Sequence, residues 1–250
     1  MSAALPVLSV VGLAEREQPL LAYLDQRTGQ RQQLTAAELG DWSARAAGLL
    51  RDGCGLIPGS RVAVLLPPHP RTAAVLLGAW SVGLEVSFRP RATAGLPVLE
   101  PGGERPYDAV LVTPERLDDW LEDVPDGVHR YLVGTGPEPL TEVPAGWLDW
   151  SSELLRHGGF PADRPLLHAT DSATPDGTSY AEWGQLAQAV AEQLDLRAGD
   201  RLLVDVAEHD HPLKWLLAPL AAGASVVLCT NLDPAHRDTV ATAEQVTRIL

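Results

Sequence analysis

A chain of 250 residues, 45% apolar and carrying a formal net charge of −14, can bury a substantial core in one large domain or two small ones. That charge repels a nucleic-acid backbone, every apolar stretch is interrupted well short of a membrane span, and the N-terminus lacks the basic region and long apolar segment of a signal peptide. Two cysteines, Cys54 and Cys229, supply no disulfide framework, so a reduced, cytoplasmic setting is expected, with neither nucleic acid nor membrane as partner.

In chain order, Thr35-Ala36-Ala37-Glu38 fits a capping box, and a helix is predicted over Leu39–Leu50. The turn Pro58-Gly59-Ser60-Arg61 leads into a predicted strand, Val62–Leu66. An apolar helix over Ala73–Val82 ends at Gly83, a natural residue just past a helix C-terminus, and a strand follows over Leu84–Phe88. Arg89–Pro106 is rich in Pro and Gly and reads as a connection. Asp108–Val112 and Tyr131–Val133 read as strands, Pro114–Leu121 as a short helix, and Pro137–Pro144 as a proline-rich loop. Ser179-Tyr180-Ala181-Glu182 fits a second capping box before a helix over Trp183–Leu194. Ala198-Gly199-Asp200-Arg201 then turns into a strand over Leu202–Val206. A helix over Leu213–Ala222 ends at Gly223, and a strand follows over Ala224–Leu228. Trp42, Trp80, Trp183 and Trp215 lie on apolar helical faces and are core candidates, while Trp147 and Trp150 are candidates for packing between the halves.

These elements repeat. Thr35–Phe88 and Ser179–Leu228 each read helix, strand, helix, strand, and both Arg61 to Arg201 and Gly83 to Gly223 are 140 positions apart. Short apolar runs after glycine turns read as buried parallel strands. The expected fold class is α/β: two pseudo-repeated halves with mostly parallel sheets packed between helices, an αβαβα-like arrangement.

The pattern from Leu34 to Leu39, then Pro58 to Pro67, then the helix closing at Gly83, resembles the opening of the N-terminal domain of adenylate-forming enzymes, the AMP-binding superfamily that includes acyl-CoA synthetases. Asp200-Arg201-Leu202-Leu203 and Pro219 to Leu228 resemble its second half. The resemblance runs from about Leu20 onward. It implies residues 1–160 as the first half of that domain and 161–250 as a shortened second half, with no C-terminal lid domain. Gln245–Leu250 resembles the strand entering the family's acyl and adenine pocket.

The family's chemistry implies a phosphate loop of the form Thr-Ser-Gly-Thr-Thr-Gly-x-Pro-Lys-Gly just before the second capping box. The corresponding interval here is His168-Ala169-Thr170-Asp171-Ser172-Ala173-Thr174-Pro175-Asp176-Gly177. A phosphate loop needs glycines so that backbone N–H groups can converge on oxygens, and only Gly177 is left. Aligning Pro175-Asp176-Gly177 with Pro-Lys-Gly, across a small deletion, puts Asp176 where the lysine stands. At an effective dielectric of ~20, a unit-charge pair at ~4 Å is worth about 4 kcal/mol, so the exchange turns attraction into comparable repulsion. Thr170, Ser172, Thr174 and Gly177 are the residues of this degenerate position that could hold a small polar group. The alternative is a solvated loop whose hydroxyls satisfy local backbone groups. ATP or AMP with Mg²⁺ is disfavoured, and no cofactor is expected.

Lys214 is the single lysine of the chain; it matches no catalytic position and reads as a surface lysine. Glu208-His209-Asp210-His211 falls where the family has a histidine-bearing segment beside its substrate pocket, which makes His209 and His211 candidates for a relict substrate pocket. A metal site and an exposed polar loop are the other readings, and zinc would need further ligands that spacing does not supply. No metal and no catalytic residue is expected. Gly134-Thr135-Gly136 lacks the third glycine and the following helix of a dinucleotide site, and Cys54 reads as an inert loop thiol. The expected function is that of a catalytically inactive homologue acting by binding or complex formation, as a homo-oligomer or with a protein partner covering the face the missing part would cover. The alternatives are a module binding a nucleotide, CoA or acyl group, and one part of a split ligase.

Overall fold

The computed structural model describes residues 19–88, 106–119, 124–136, 138–157 and 167–250. In chain order the strands are β1 (Leu21–Asp25), β2 (Arg31–Leu34), β3 (Arg61–Leu65), β4 (Glu85–Phe88), β5 (Tyr107–Val112), β6 (Gly127–Leu132), β7 (Leu148–Asp149), β8 (Arg201–Asp205), β9 (Ser225–Thr230) and β10 (Arg248–Ile249). The helices are α1 (Ala36–Gly48), α2 (Pro70–Ser81), α3 (Pro114–Leu117), α4 (Trp150–Arg156), α5 (Tyr180–Gln193), α6 (Ala218–Ala222) and α7 (Arg237–Ala243). The described residues form two compact units, one from 19–40, 68–73 and 181–250, the other from 41–67 and 74–180. Of the connection expected over Arg89–Pro106, residues 89–105 lie outside the described residues, as do Leu121 of the expected short helix and Pro137 of the proline-rich loop.

The first unit holds a five-stranded sheet in the order β10-β8-β9-β1-β2. All its pairings are parallel except the β1–β2 hairpin. Leu202–Val204 and Val226–Cys229 are buried, as continuous apolar runs of a covered parallel sheet require. Ala22, Leu24, Leu203, Val227 and Cys229 pack with Val240 of α7 to form its core. Glu244, just past α7, is buried and accepts from Arg31 of β2 and Arg201 of β8. This ties the sheet edge to its centre with a charge pair satisfied on both sides.

The second unit holds an all-parallel sheet in the order β4-β3-β5-β6-β7. Its core joins Ala63, Leu65, Tyr107, Val110, Val112 and Leu132, with Trp147 packed against them. Trp150 meets Tyr131 edge to face at 5.2 Å, so the partners seen for both tryptophans lie inside this unit. Trp80, Trp183 and Trp215 are buried, whereas Trp42 on α1 is only half-buried.

Two crossovers share one set of bonds. Gly59 N–H donates to the Gly83 carbonyl at 2.8 Å, and Gly199 N–H to that of Gly223 at 3.1 Å. Glu85 N–H donates to the Ser60 carbonyl at 2.9 Å, and Ser225 N–H to that of Asp200 at 2.8 Å. Arg61 pairs with Glu85 and Arg201 with Ser225. Gly83 and Gly223 both have φ in the left-handed region, at +83° and +72°.

The structure departs from the sequence reading in three places. β1, β2 and β7 were not expected as strands. α3 stops at Leu117, where the Asp118 N–H turns back to Pro114 and Arg116 carbonyls. The helix expected over Leu213–Ala222 opens with a wide π turn, Leu213–Leu217, before α6. Pro219 explains this: without an N–H it cannot bond four residues back, and the ladder widens before it.

Candidate functional site

The segment that would hold phosphate forms a closed hairpin. Ser172 and Ser179 face each other as an antiparallel bridge, and Ala173 N–H donates to the Thr178 carbonyl at 2.8 Å. Thr174-Pro175-Asp176-Gly177 is the turn, closed by Gly177 N–H on the Thr174 carbonyl at 3.1 Å. Proline at its second position pre-sets the backbone, and Gly177 takes φ +87°, which suits glycine. The Asp176 carboxylate accepts from the Thr174 hydroxyl at 2.6 Å and the Thr178 N–H at 3.0 Å. These bonds, the Thr174 hydroxyl first, hold its carboxyl below the usual carboxylate range, so it is ionised at neutral pH.

The hairpin is anchored to β4 and α2. The Ala173 carbonyl accepts from Val86 N–H at 2.9 Å and from the buried Trp80 indole at 3.3 Å. Tyr180 donates its hydroxyl to the Leu84 carbonyl at 3.0 Å. Ser172 bonds to the Glu85 carboxylate, which burial raises above its ordinary pKa.

Of the candidate residues, the structure brings Ser172, Thr174 and Gly177 into one hairpin. Thr170 lies on the exposed approach, in a turn closed by Asp171 N–H on the His168 carbonyl. The amides of Ala173, Gly177 and Thr178 all point to acceptors within the hairpin. A phosphate cradle needs such amides directed outward.

His209 and His211 follow β8. The His209 N–H donates to the Asp205 carbonyl at 3.0 Å. His211 Nδ1 accepts from Leu213 N–H at 3.3 Å, and its ring meets Trp183 of α5 at 6.0 Å. Burial holds the His211 imidazole below its usual pKa, with Lys214 adding to the effect and Asp210 opposing it. Lys214 itself is exposed. Among the described residues, no three His, Cys, Asp or Glu side chains stand together in a metal-binding group.

Sequence reasoning missed His69. It is buried, its Nδ1 accepts from Arg71 N–H at 3.2 Å, and its ring meets Tyr23 of β1 at 4.6 Å. The signal was present: His69-Pro70 opens α2 as His211-Pro212 opens the helix before α6.

Neither thiol is activated. Cys54 lies 3.0 Å from the Tyr131 hydroxyl and burial pushes it up. Cys229 is pushed up to about 11 by burial and by Asp205, Asp25 and Glu244. A thiol raised in this way is a weak nucleophile at neutral pH.

A TIGR03089 family protein of Mycobacterium tuberculosis (strain H37Rv) is 33% identical over 239 residues, covering 93% of this chain and 91% of the relative. The chain belongs to the TIGR03089 family. No family model matches it. In structure this TIGR03089 family member is similar to an acyl-CoA synthetase of Brucella canis, with a TM-score of 0.72 and 18% identity over 97% of this chain and 46% of that one. It is similar to the acetoacetyl-CoA synthetase of Streptomyces lividans at 0.70 and 19% over 97% and 41%. It also resembles the N-terminal domain of FACL13 from M. tuberculosis at 0.67 and 20% over 98% and 62%. The fold is therefore that of the N-terminal domain of the acyl-CoA synthetase-like, adenylate-forming superfamily, and the chain spans about half the length of these solved structures. No helix among the described residues is long and apolar enough to cross a membrane.

Proposed function

We propose that this protein is a catalytically inactive member of the adenylate-forming superfamily that acts by binding or complex formation. The closed hairpin carries the reading: three of its amides are spent internally, and an ionised Asp176 stands at its tip. A triphosphate brought there meets a carboxylate and finds those N–H groups already taken. No cofactor is assigned. Adenylation needs developing negative charge held by preorganised donors, and the hairpin offers none of the three.

The bonds shared by the two crossovers, 140 positions apart, support descent by internal duplication. Two free thiols support a reduced, cytoplasmic setting. The place of β10 at the sheet edge, with Ile249 47% exposed, supports a homo-oligomer or protein partner extending that sheet.

Calorimetric titration with Mg-ATP, AMP and CoA at millimolar ligand tests the reading. Silence for all three is expected. Saturable binding of ATP or AMP overturns it and favours a split ligase completed by a second chain. Binding of CoA alone favours a small-ligand module.

A further inference from the structure

The structure assigns His69 and His211 a shared task that owes nothing to ligand binding: each imidazole, followed by proline, caps the helix behind the first strand of its crossover, and we propose that protonation of this pair makes the fold acid-sensitive. His69 Nδ1 accepts from Arg71 N–H at 3.2 Å, two residues on, and the His69 carbonyl accepts from Ala73 at 3.0 Å. His211 Nδ1 accepts from Leu213 N–H at 3.3 Å, again two residues on, and its carbonyl accepts from Lys214 at 3.0 Å. Proline at the first helical position has no N–H to satisfy, so the next amide is the first to need an acceptor. In both places an imidazole nitrogen supplies it, where Ser, Thr, Asp or Asn is usual.

Such a cap works only while Nδ1 carries no proton, which requires a neutral ring with its hydrogen on Nε2. A proton on Nδ1 removes the acceptor, sets N–H against N–H, and places positive charge at the positive end of the helix dipole. The surroundings act in the same direction at His69. Burial lowers it to about 3, Arg71 of α2 adds positive charge, and Tyr23 of β1 contributes a ring without charge. At His211 burial again lowers the pKa, Lys214 assists, Asp210 opposes, and Trp183 of α5 is uncharged.

The sign follows. Both groups bind a proton more weakly folded than unfolded, so their contribution is complete above the unfolded pKa of about 6.5. It is lost as pH falls below that value. Each imidazole kept neutral by folding lowers the folding equilibrium constant up to about tenfold per pH unit in that window.

The test is urea denaturation between pH 7.5 and 5 on wild type, His69→Asn, His211→Asn and the double variant, because asparagine caps without titrating. Wild type should lose stability as pH falls, each single variant less, and the double variant least. Equal slopes for all four overturn the proposal. Imidazole nitrogen NMR of the wild type covers the case in which a variant does not fold. Nε2–H tautomers for both rings at pH 7, still neutral at pH 5.5, are expected. A ring found as the Nδ1–H tautomer, or titrating at about 6.5 in the folded protein, refutes its capping role.

Discussion

Gly83 and Gly223 end equivalent crossover helices, yet their surroundings differ. Both adopt left-handed φ, +83° and +72°, which costs an L-residue about 1–2 kcal/mol. A Cβ at Gly223 would meet nothing nearer than Ala198 at 3.5 Å, whereas one at Gly83 would fall 2.5 Å from Leu167 Cδ2 and 3.0 Å from Pro58 Cβ. Gly223→Ala should therefore cost about 1 kcal/mol from backbone strain alone. Gly83→Ala should cost about 2–3 kcal/mol, because overpacking adds to the strain. Urea midpoints compare the two, and equal losses would mean that Leu167 and Pro58 yield freely. Both glycines were legible as helix ends because left-handed closure is a local demand. The crowding at Gly83 was not, since Leu167 is distant in sequence.

At the scale of elements, the first capping box forms as its residues predict. Glu38 N–H donates to the Thr35 hydroxyl at 3.2 Å, and Thr35 N–H to the Glu38 carboxylate at 2.8 Å. Thr35→Ala should cost about 1 kcal/mol at pH 7. The Thr35 N–H, and after it the Thr35 hydroxyl, hold the Glu38 carboxyl below its ordinary value. That contribution is present above pH ~4.5 and fades as pH falls through the lowered folded value. The variant's deficit should shrink at pH 3. An unchanged deficit in thermal melts at both pH values would remove the charged carboxylate from the account. Strands β3, β5, β8 and β9 were legible because each is a short apolar run bounded by polar or turn residues. The β1–β2 hairpin was not: β1 is buried because it lies between β9 and β2, a neighbourhood that its own five residues do not encode.

At the scale of the whole molecule, a net charge of −14 works against association of copies, and salt screens it, with a Debye length of about 30 Å at 0.01 M and 8 Å at 0.15 M. If copies pair along the β10 edge, light scattering at micromolar protein should show a dimer that strengthens as salt rises across that range. A monodisperse monomer at both ends removes the homo-oligomer reading. The same acidity made nucleic acid an unsuitable partner from composition alone.

The sequence by itself determined the α/β class, the glycine turns, the first helix cap, and the lack of glycines and lysine where a phosphate loop would stand, because these depend on residues near one another in the chain. The tertiary structure decided the rest. It set the order of strands in each sheet and the anchoring of the hairpin through Trp80, Val86 and Leu84. It also left Trp42 half-buried. His211, read from the sequence as a pocket residue, became with His69 the cap of a helix, because an imidazole's role follows from which amide its nitrogen faces.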